Sequence, residues 1–572
     1  MAVSNVEIAD LFNRLADLLE IDGANPFRVR AYRNAAQTVR AQSRAMADMV
    51  AHGEDLSELP GIGEDIAGKI GTIVETGRLP LLEETRKRVP GELSDMMKIE
   101  GLGPKRVKAL YKALEVRSIE DLGRAARSGR IRGLPGFGAK TEQTLLKRAE
   151  AWSGQAPRTL LAEAEAVSEP LLKYLRGSKG LKRLIIAGSY RRRKETVGDL
   201  DILATARKNS NVIQRFTRYD DVDEIISQGT TRSTVHLKSG LQVDLRVVPE
   251  VSYGAALHYF TGSKSHNIAL RTIAQKRKLK INEYGVFRGD KRIAGRTEEE
   301  IYQLFGLDFI PPELREDHGE IQAARSHRLP KLVTLKDIRG DLHMHTTETD
   351  GLESLDNMVK AARKKGYEYV AVTDHSRHVT VARGLDEKRL RKQIEAIDRL
   401  NDKLEDMVVL KSIELDILED GSLDLPDRVL RELDLTVCAI HSKFNLTRKQ
   451  QTERVLRAMD NPCFNIFAHP TGRLINKRDA YDIDIERVMA GAVERGCFLE
   501  VNAGPERLDL NDDACRMAKE MGLELAISTD AHSTASLDLM RFGVDQARRG
   551  WLEADDVINT RPLTALRKLL KR

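Results

Sequence analysis

Two acidic residues, Asp199 and Asp201, stand one residue apart in the segment GDLDIL, and this spacing could hold metal ions. In an extended strand, residues i and i+2 project from the same face, so both carboxylates would point away from the face of Leu200 and Ile202. Neighbouring carboxylates repel each other unless a cation lies between them, and hard oxygen ligands suit Mg²⁺. A short pair of this kind is also compatible with solvated acids at a strand edge.

A turn shortly before these acids could hold a triphosphate. Residues 184–188, LIIAG, predict a short buried strand that ends at Gly188 and Ser189. Such a turn into a helix start presents backbone N–H groups and a hydroxyl to an anion. Arg192, on the first helical turn, could grip phosphate oxygens with its guanidinium fork. The chemistry indicated is nucleotidyl transfer.

A third acid, Asp244, is the only acid of the alternating segment LQVDLRV at 241–247, which predicts another strand. Phosphoryl transfer by two metal ions needs ligands for one ion at the attacking hydroxyl and for a second ion at the triphosphate. A third carboxylate would complete the ligands of the ion at the attacking hydroxyl. The turn, the acid pair and the third acid together favour a catalytic site over surface acids.

Four segments then resemble the palm and thumb of family X DNA polymerases, the group of polymerase beta: GSYRRRKETVGDLDIL, QVDLRVV, YFTGSKSHNIALR at 259–271 and INEYGVF at 281–287. The resemblance lies in order and spacing and covers most of residues 1–316. It implies that Asp199 and Asp201 hold both metals, Mg²⁺ or Mn²⁺. It implies further that Asp244 completes the catalytic metal site and helps deprotonate the primer 3′ hydroxyl.

The same resemblance implies the residues that bind the incoming nucleotide. Tyr259 and Phe260 match the wall that crowds a ribose 2′ hydroxyl, and Asn267 and Arg271 match contacts to the nucleotide and the template minor groove. The complete implied set is Gly188, Ser189, Arg192, Tyr259, Phe260, Gly262, Asn267 and Arg271. Arg193 departs from the pattern, because the animal enzymes carry glycine there.

Three related loops precede the palm: LPGIGEDIAGKI at 59–70, IEGLGPKRVKAL at 99–110 and LPGFGAKTEQTL at 134–145. Two glycines let the backbone turn tightly and expose N–H groups at a helix N-terminus, where a DNA phosphate can lie without base contacts. One such loop would be compatible with an ordinary helix turn, but three at similar spacing resemble helix-hairpin-helix motifs. The predicted DNA-binding glycines are Gly61, Gly63, Gly101, Gly103, Gly136 and Gly138.

Lys69, in the helix after the first loop, matches the lysine that attacks an abasic sugar in family X lyase domains, a role that requires a partly neutral amine. Asp65 falls where the animal enzymes carry another lysine, which would leave Lys69 more basic. The alternative is a solvated lysine that binds phosphate.

From Leu335 the sequence alternates between strand-like and helical segments, which predicts a β/α barrel of seven units. The strand-like runs lie at 341–345, 369–375, 408–417, 435–442, 463–470, 497–504 and 523–532. Seven of the thirteen histidines lie in this part, and six of them stand at strand ends, where barrel active sites lie. His378, the seventh, is predicted to be structural. The candidate metal ligands are His343, His345, Asp350, His375, Glu414, His441, His469, Asp530 and His532.

These ligands resemble those of the PHP domain (polymerase and histidinol phosphatase), which implies nine ligands for up to three ions. Mixed imidazole and carboxylate ligation suits Mn²⁺, Zn²⁺ or Fe more than Mg²⁺ alone. A cluster of this kind lowers the pKa of a bound water and clamps a phosphodiester, so we expect phosphoester hydrolysis.

The whole chain predicts a multidomain protein with an α-helical helix-hairpin-helix N-terminal region, an α+β nucleotidyltransferase palm and thumb and a distorted (β/α)7 PHP barrel. The expected domains are a lyase-like helical DNA-binding domain at 1–80, helix-hairpin-helix fingers at 81–150, the palm at 151–250, the thumb at 251–316, a Pro-rich charged linker at 317–335 and the PHP domain at 336–572.

Composition excludes several classes of protein. There is no run of about eighteen apolar residues and no signal-like N-terminus, so we expect a soluble, cytoplasmic protein that does not contact membranes. Four cysteines without CxxC spacing argue against disulfides and a thiolate zinc site. The net charge of +6 is modest, but basic segments such as 271–280 fit a polyanion partner.

A family X core joined to a PHP domain is the arrangement of bacterial and archaeal family X polymerases. It implies a monomer that fills short gaps in gapped or nicked DNA with dNTPs, for DNA repair such as base excision repair. It implies also a Mn²⁺-dependent 3′-to-5′ exonuclease, with abasic-site endonuclease and 3′-phosphatase activities as further options. The alternatives are a DNA-binding PHP nuclease whose polymerase core has a minor role, a small-molecule phosphatase and a template-independent nucleotidyltransferase.

Overall fold

The computed structural model describes residues 3, 5–41, 46–59, 61–90, 93–97, 99, 102–150 and 158–571. The chain divides into two compact units, Met1–Pro157 and Arg158–Arg572. Among the described residues, none of the helices combines the length and the apolar character needed to cross a membrane. Gly101, one of the predicted DNA-binding glycines, lies outside the described residues.

The first unit is built from α-helices around one apolar core. Ile8, Phe12 and Leu15 of the first helix are fully buried in that core. Asn25 separates the first two helices, and its side chain accepts a hydrogen bond from Phe27 N at 2.9 Å. The helices are α1 (Asn5–Asp22), α2 (Pro26–Ala41), α3 (Met46–Ala51), α4 (Glu64–Thr76), α5 (Pro80–Arg88), α6 (Leu93–Met96), α7 (Pro104–Leu114), α8 (Ile119–Arg127) and α9 (Ala139–Glu150).

The glycine pairs of the three loops take distinct backbone roles. Gly61 and Gly136, the first glycines of their pairs, have φ values of +78° and +82°, which side chains other than glycine's rarely adopt. Gly63 and Gly103, the second glycines, are the N-cap residues of α4 and α7, and Gly138 directly precedes α9. The loops therefore present helix N-termini, as the sequence predicts.

The second unit begins with a five-stranded mixed sheet in the order β2-β4-β7-β6-β5. Its central strands β4 and β7 run parallel, and its other neighbours run antiparallel. Alternate residues such as Leu200, Ile202 and Val243 are buried in one core with residues of the helices at 161–176 and 212–217. The elements are β1 (Thr159–Leu160), α10 (Leu161–Arg176), β2 (Leu181–Ile186), α11 (Gly188–Arg191), β3 (Thr196–Val197), β4 (Asp199–Ala206), α12 (Val212–Thr217), β5 (Val222–Gln228), β6 (Arg232–Leu237) and β7 (Gln242–Val247).

A smaller α+β region with its own core follows. Its elements are α13 (Tyr253–Thr261), α14 (Lys264–Lys276), β8 (Lys280–Asn282), β9 (Gly285–Arg288), β10 (Lys291–Ala294), α15 (Glu298–Leu304) and α16 (Glu320–Arg325). Gly254 allows α13 to approach the start of α15, because a Cβ at that position would lie 2.2 Å from the Thr297 carbonyl carbon.

The linker predicted at 317–335 is instead part of this core. Ile321 and Ala324 of α16 are buried with the apolar residues of α14 and α15. Glu320 is fully buried, and its Oε1 lies 2.7 Å from His266 Nδ1. Because that carboxylate has buried polar partners, a charged segment can pack inside the protein.

The C-terminal part alternates strands and helices. All seven predicted strand runs contain strands, but the third is broken at 412–413 into β13 and β14. The elements are β11 (Gly340–Met344), α17 (Leu355–Lys364), β12 (Tyr369–Val372), α18 (Glu387–Asn401), β13 (Val408–Lys411), β14 (Glu414–Asp416), α19 (Asp427–Leu430), β15 (Val437–Ala439), α20 (Arg448–Met459), β16 (Ile466–Phe467), α21 (Ile485–Arg495), β17 (Phe498–Asn502), α22 (Asp512–Glu520), β18 (Leu525–Ser528), α23 (Met540–Arg549) and α24 (Leu563–Leu569).

These strands form two parallel sheets, β11-β12-β13 and β14-β15-β16-β17-β18, where the sequence predicts a single barrel. The parallel bridges His375–Glu414 and Met344–Ala531 connect the two sheets. Glu414, directly after the break, lies with its Oε2 3.7 Å from His343 Nε2 of the first strand. This arrangement brings the carboxyl ends of the strands, where the candidate ligands lie, to one place.

Candidate active sites

The three acids of the palm lie on adjacent strands. In the parallel ladder between β4 and β7, Asp201 is the direct partner of Asp244. Asp199 is exposed, Asp201 is half-buried and Asp244 is 5% exposed. The sheet therefore places one carboxylate of the pair beside the third acid, in the arrangement that two-metal chemistry requires.

These acids concentrate negative charge. Burial raises the pKa of Asp201 to about 7, and the charges of Asp199 and Asp244 add to the shift. Arg232 and Arg246 act in the opposite direction on Asp201. Asp244 Oδ1 accepts hydrogen bonds from Thr234 Oγ1 at 2.7 Å and Arg232 Nη2 at 3.1 Å. A divalent cation between the carboxylates would neutralise this charge.

The turn before the acids touches them directly. Gly188 has a φ of +65°, and a Cβ at this position would lie 2.8 Å from Asp201 Oδ2. Ala187 N donates to the Asp201 carbonyl oxygen at 2.7 Å. Ser189 follows within the short helix α11 and is half-buried. A side chain at Gly188 would crowd the Asp201 carboxylate, so the turn lies directly against the strand of the acid pair.

Arg192, which the sequence assigns to phosphate, already has protein partners. Its Nε donates to Glu316 Oε1 at 2.9 Å, and its Nη1 donates to the Thr261 carbonyl at 2.5 Å. A Cβ on Gly262 would lie 3.3 Å from Arg192 Nη1. The structure thus brings Arg192 and Gly262 together, and Glu316 is a partner that local sequence did not indicate.

The four remaining nucleotide-binding candidates form one cluster. Asn267 Nδ2 donates to the Tyr259 carbonyl at 2.8 Å, and the Arg271 guanidinium lies 5.3 Å from the Tyr259 ring centroid. The Tyr259 and Phe260 rings meet edge to face, with centroids 5.1 Å apart. The Arg246 guanidinium lies 4.4 Å from the Phe260 centroid and connects this cluster to the strand of the third acid.

Lys69 of the first unit is paired with an acid. Its Nζ donates to Asp65 Oδ1 at 2.5 Å, one helical turn earlier, and its side chain is 20% exposed. An ion pair uses the protonated ammonium, whereas a Schiff-base nucleophile must be a neutral amine. Lyase activity stays a prediction.

In the C-terminal part, the candidate ligands converge on Glu414. Its Oε2 lies 2.7 Å from His375 Nδ1, and its Oε1 lies 3.0 Å from His469 Nε2 and 3.3 Å from His441 Nε2. The carboxylate is 1% exposed. Glu414 directly follows the strand break at 412–413. Its side chain lies among histidines from the ends of several strands.

Three groups of these side chains could each hold an ion. In each group, one ligand atom per residue lies within 4.8 Å of the others. The groups are His345, Asp350, His375 and His532; His343, His345 and Asp530; and His375, Glu414 and His441. His469 joins the third group through Glu414. All nine predicted ligands are therefore brought together.

The donor atoms of this cluster fit a metal. His343 Nε2 and both ring nitrogens of His345 are buried without a hydrogen-bond partner within the described chain. Buried polar atoms are normally paired, so a set that converges without hydrogen bonds is suited to coordination.

The charges of the cluster are strongly coupled. Burial opposes a charge on His375, yet Glu414 and Asp350 raise its pKa to about 10. Burial likewise opposes a charge on His441, yet Glu414 and Asp416 raise its pKa to about 9. Imidazole protons and divalent cations are two ways to supply the positive charge that these carboxylates need.

Residues behind the ligands complete the cluster, and sequence patterns did not indicate them. Glu500 is on β17, and its Oε1 lies 2.7 Å from His343 Nδ1. Its Oε2 accepts a hydrogen bond from His469 N at 2.8 Å. Asn502 Nδ2 donates to Asp530 Oδ2 at 3.1 Å. Asp416 Oδ1 lies 3.4 Å from His441 Nδ1, and its Oδ2 lies 3.4 Å from His378 Nε2. These side chains orient the ligand rings.

Five protein families match successive parts of the chain. They are a helix-hairpin-helix domain at residues 3–79, a SAM-like helix-hairpin-helix tandem at 93–151, the DNA polymerase beta palm at 156–249, the DNA polymerase beta thumb at 256–316 and the PHP domain at 341–503.

Individual proteins are similar over different shares of the chain. The DNA polymerase/3'-5' exonuclease PolX of Bacillus subtilis (strain 168) is 38% identical over 570 residues, which are 99% of each chain. DNA polymerase lambda of Rattus norvegicus is 26% identical over 342 residues, 54% of this chain and 56% of that protein. A probable phosphatase of Thermoanaerobacter sp. (strain X514) is 29% identical over 233 residues, 38% of this chain and 89% of that protein.

Proposed function

The chain belongs to the family of the DNA polymerase/3'-5' exonuclease PolX, and from that membership we propose that it extends primer 3′ ends at short gaps in DNA and trims 3′ ends in its PHP domain. The observation that carries this proposal is that one chain contains two candidate sites. In the first, Asp201 pairs with Asp244 beside the Gly188 turn. In the second, the candidate ligands converge around Glu414. Each centre has the residues that its reaction needs.

In the palm, Asp199, Asp201 and Asp244 would hold Mg²⁺ or Mn²⁺, which supplies charge neutralisation for the triphosphate and acidifies the primer hydroxyl. Asp244 helps to remove the proton of the primer 3′ hydroxyl by accepting it. Backbone N–H groups of the Gly188 turn and the Ser189 hydroxyl bind the triphosphate. Tyr259 and Phe260 border the sugar, and Asn267 and Arg271 contact the nucleotide and the template. The intact acid triad argues against a minor role for this core.

In the PHP domain, the nine ligands would hold up to three ions, with Mn²⁺, Zn²⁺ or Fe favoured by their imidazole and carboxylate atoms. Such ions supply an acidified water and a clamp for the phosphodiester. Glu500 and Asp416 keep His343 and His441 oriented toward the centre. Similarity to a probable phosphatase supports 3′-phosphatase activity beside the exonuclease, and abasic-site endonuclease activity is a further prediction.

The first unit would hold the substrate, which we expect to be gapped or nicked DNA. Its helix N-termini at Gly63, Gly103 and Gly138 offer backbone N–H groups to phosphates without reading bases. Base excision repair, a monomeric state and a cytoplasmic location stay predictions. The Asp65 ion pair disfavours Lys69 as a lyase nucleophile, which borohydride trapping on an abasic 5′-deoxyribose phosphate can test against Lys69→Ala.

The central experiment compares wild type, Asp244→Ala and His343→Ala on gapped DNA with dNTPs and Mg²⁺ or Mn²⁺. We expect Asp244→Ala to lower primer extension about a thousandfold, because a metal ligand contributes several kcal/mol to the transition state. It should leave 3′ degradation intact, and His343→Ala should do the reverse. Each variant is the control for the other. Wild-type extension by Asp244→Ala, or wild-type degradation by His343→Ala, would refute the corresponding assignment.

A further inference from the structure

Three consecutive arginines follow the phosphate-binding turn, and each is bound by different acids. Arg191 forms a two-bond ion pair with Glu298 of α15, at 2.9 and 2.6 Å. Arg192 binds Glu316. Arg193 Nη1 donates to Glu165 Oε1 of α10 at 2.6 Å, and its Nε donates to Asp545 Oδ2 of α23 at 2.7 Å. The turn is thus held from several sides, and one of them is the PHP domain.

The backbone at Arg193 needs such support. Its φ is +56°, in the left-handed region that favours glycine. The Arg193 side chain is 18% exposed, and its guanidinium forms the ion pairs with Glu165 and Asp545. The Arg193 side chain therefore connects the turn to α23 at a position where glycine would satisfy the backbone more easily.

A second residue of α23 reaches the same turn. Arg549 is buried, and its Nη1 donates to the Arg192 carbonyl at 2.8 Å and to Glu316 Oε1 at 3.2 Å. Its Nη2 donates to Asp512 of α22. Glu316 therefore binds one guanidinium from the palm and one from the PHP domain. Charge-assisted hydrogen bonds to a buried carboxylate fix geometry more firmly than exposed pairs do.

Helix α23 is itself fixed to the strands that carry nuclease residues. A Cβ on Gly543 would lie 2.6 Å from Ile527 Cγ2 and 2.8 Å from Ala503 Cβ. Ile527 belongs to β18, and Ala503 follows Asn502, which binds Asp530. The helix therefore lies between the nuclease strands and the polymerase turn, in contact with both.

We propose that α23 positions the phosphate-binding turn of the palm, with Asp545 and Arg549 as positioning residues for the incoming dNTP. The inference rests on the proposed polymerase function. Displacement of the turn would move the Gly188–Ser189 N–H groups away from the triphosphate, which weakens binding of the nucleotide before and during reaction. Such a change raises KM for dNTP more than it lowers kcat.

The test uses full-length Asp545→Asn, Arg193→Gly and their double variant. Asp545→Asn keeps the size of the side chain, and Arg193→Gly suits the positive φ, so both variants should fold. We expect each single variant to raise KM for dNTP about tenfold. Because Arg193 and Asp545 contact each other in one ion-pair network, their effects should not add, and the double variant should have the same KM as either single variant. Arg549→Met should raise KM in the same direction.

Two measurements separate positioning from general stability. Mn²⁺-dependent 3′ degradation should stay at the wild-type rate in every variant, and Glu453→Gln, which breaks the distant Arg487–Glu453 pair of 2.6 Å, should change neither activity. An unchanged KM for dNTP would overturn the proposal, and so would a parallel loss of both activities. If the polymerase assignment itself were wrong, Asp244→Ala would extend primers like wild type. That result does not depend on the variants of Arg193, Asp545 and Arg549.

Discussion

The metal-ligand cluster of the PHP domain and the acid triad of the palm balance their charges differently. Around Glu414, imidazoles from four strands lie within 3.7 Å of carboxylate oxygens, and residues such as Glu500 hold them from behind. In the palm, burial and neighbouring acids raise the pKa of Asp201 to about 7. The PHP cluster contains imidazoles as counter-charges, whereas in the palm Arg232 and Arg246 offset the acids only in part, and we expect cations that come with the substrate to complete the balance.

This difference suggests two modes of use. A site whose ligands are held in advance can bind ions permanently and act on any 3′ end that reaches it. A site that is completed by metal and nucleotide together is active only when a dNTP is bound. Three experiments test this difference between the two sites.

The largest effect concerns Glu500, which holds His343 without being a predicted ligand. Glu500→Gln should weaken Mn²⁺ activation of the nuclease about 10- to 100-fold, the usual cost of losing a residue behind a metal ligand. Raised Mn²⁺ should restore degradation, and primer extension should stay unchanged. Asp460→Asn, which breaks an exposed pair with Arg495 at 2.7 Å, is the control. If no Mn²⁺ concentration restored activity, Glu500 would have a role in the reaction itself.

An intermediate effect concerns the contact between the turn and Asp201. Gly188→Ala should lower primer extension about tenfold, because a left-handed backbone costs an alanine roughly 1–2 kcal/mol and the new methyl displaces the carboxylate. Gly240→Ala is a matched control, since its φ is +84° and a Cβ there meets nothing within 4 Å. Equal extension rates for the two variants would show that contact with Asp201 is unimportant.

A third effect concerns metal binding without substrate. At about one hundred times its dissociation constant, Mn²⁺ should stabilise the folded PHP domain by about 2.7 kcal/mol, a rise in Tm of about 5 °C. Thermal melting should show this rise in wild type and Asp244→Ala but not in His343→Ala. The reverse pattern, with the rise lost in Asp244→Ala, would mean that the palm is the site filled first.

The sequence predicted which candidate side chains lie together better than it predicted the residues around them. Asp199, Asp201 and Asp244 were recognisable because strand alternation fixes which face each carboxylate occupies, and the paired register of Asp201 and Asp244 agrees with that pattern. Eight of the nine predicted PHP ligands were recognisable because they lie in or near the ends of strand-like runs, and Asp350 was added from the loop after the first run by resemblance to the PHP domain.

Partners that are distant in sequence were not predictable in the same way. Glu500 lies inside the segment CFLEVNAG, where it reads as one acid in an apolar strand, and its pairing with His343 spans 157 residues. Glu316 meets Arg192 across 124 residues. The segment at 317–335 reads as a solvated linker because its composition is polar, while its buried helix depends on His266, 54 residues away from Glu320. Tertiary pairing leaves no local signal.

Leu508 and Phe542 of the PHP domain are buried in the apolar core of the palm, beside residues such as Leu171 and Phe216. A hydrophobic core shared by two catalytic domains restricts how a gene for such a protein can change. Exchange of the nuclease half for another would leave a cavity in the palm unless the donor offered matching side chains in the same places. Recombination between relatives should therefore succeed where both halves are inherited as one piece.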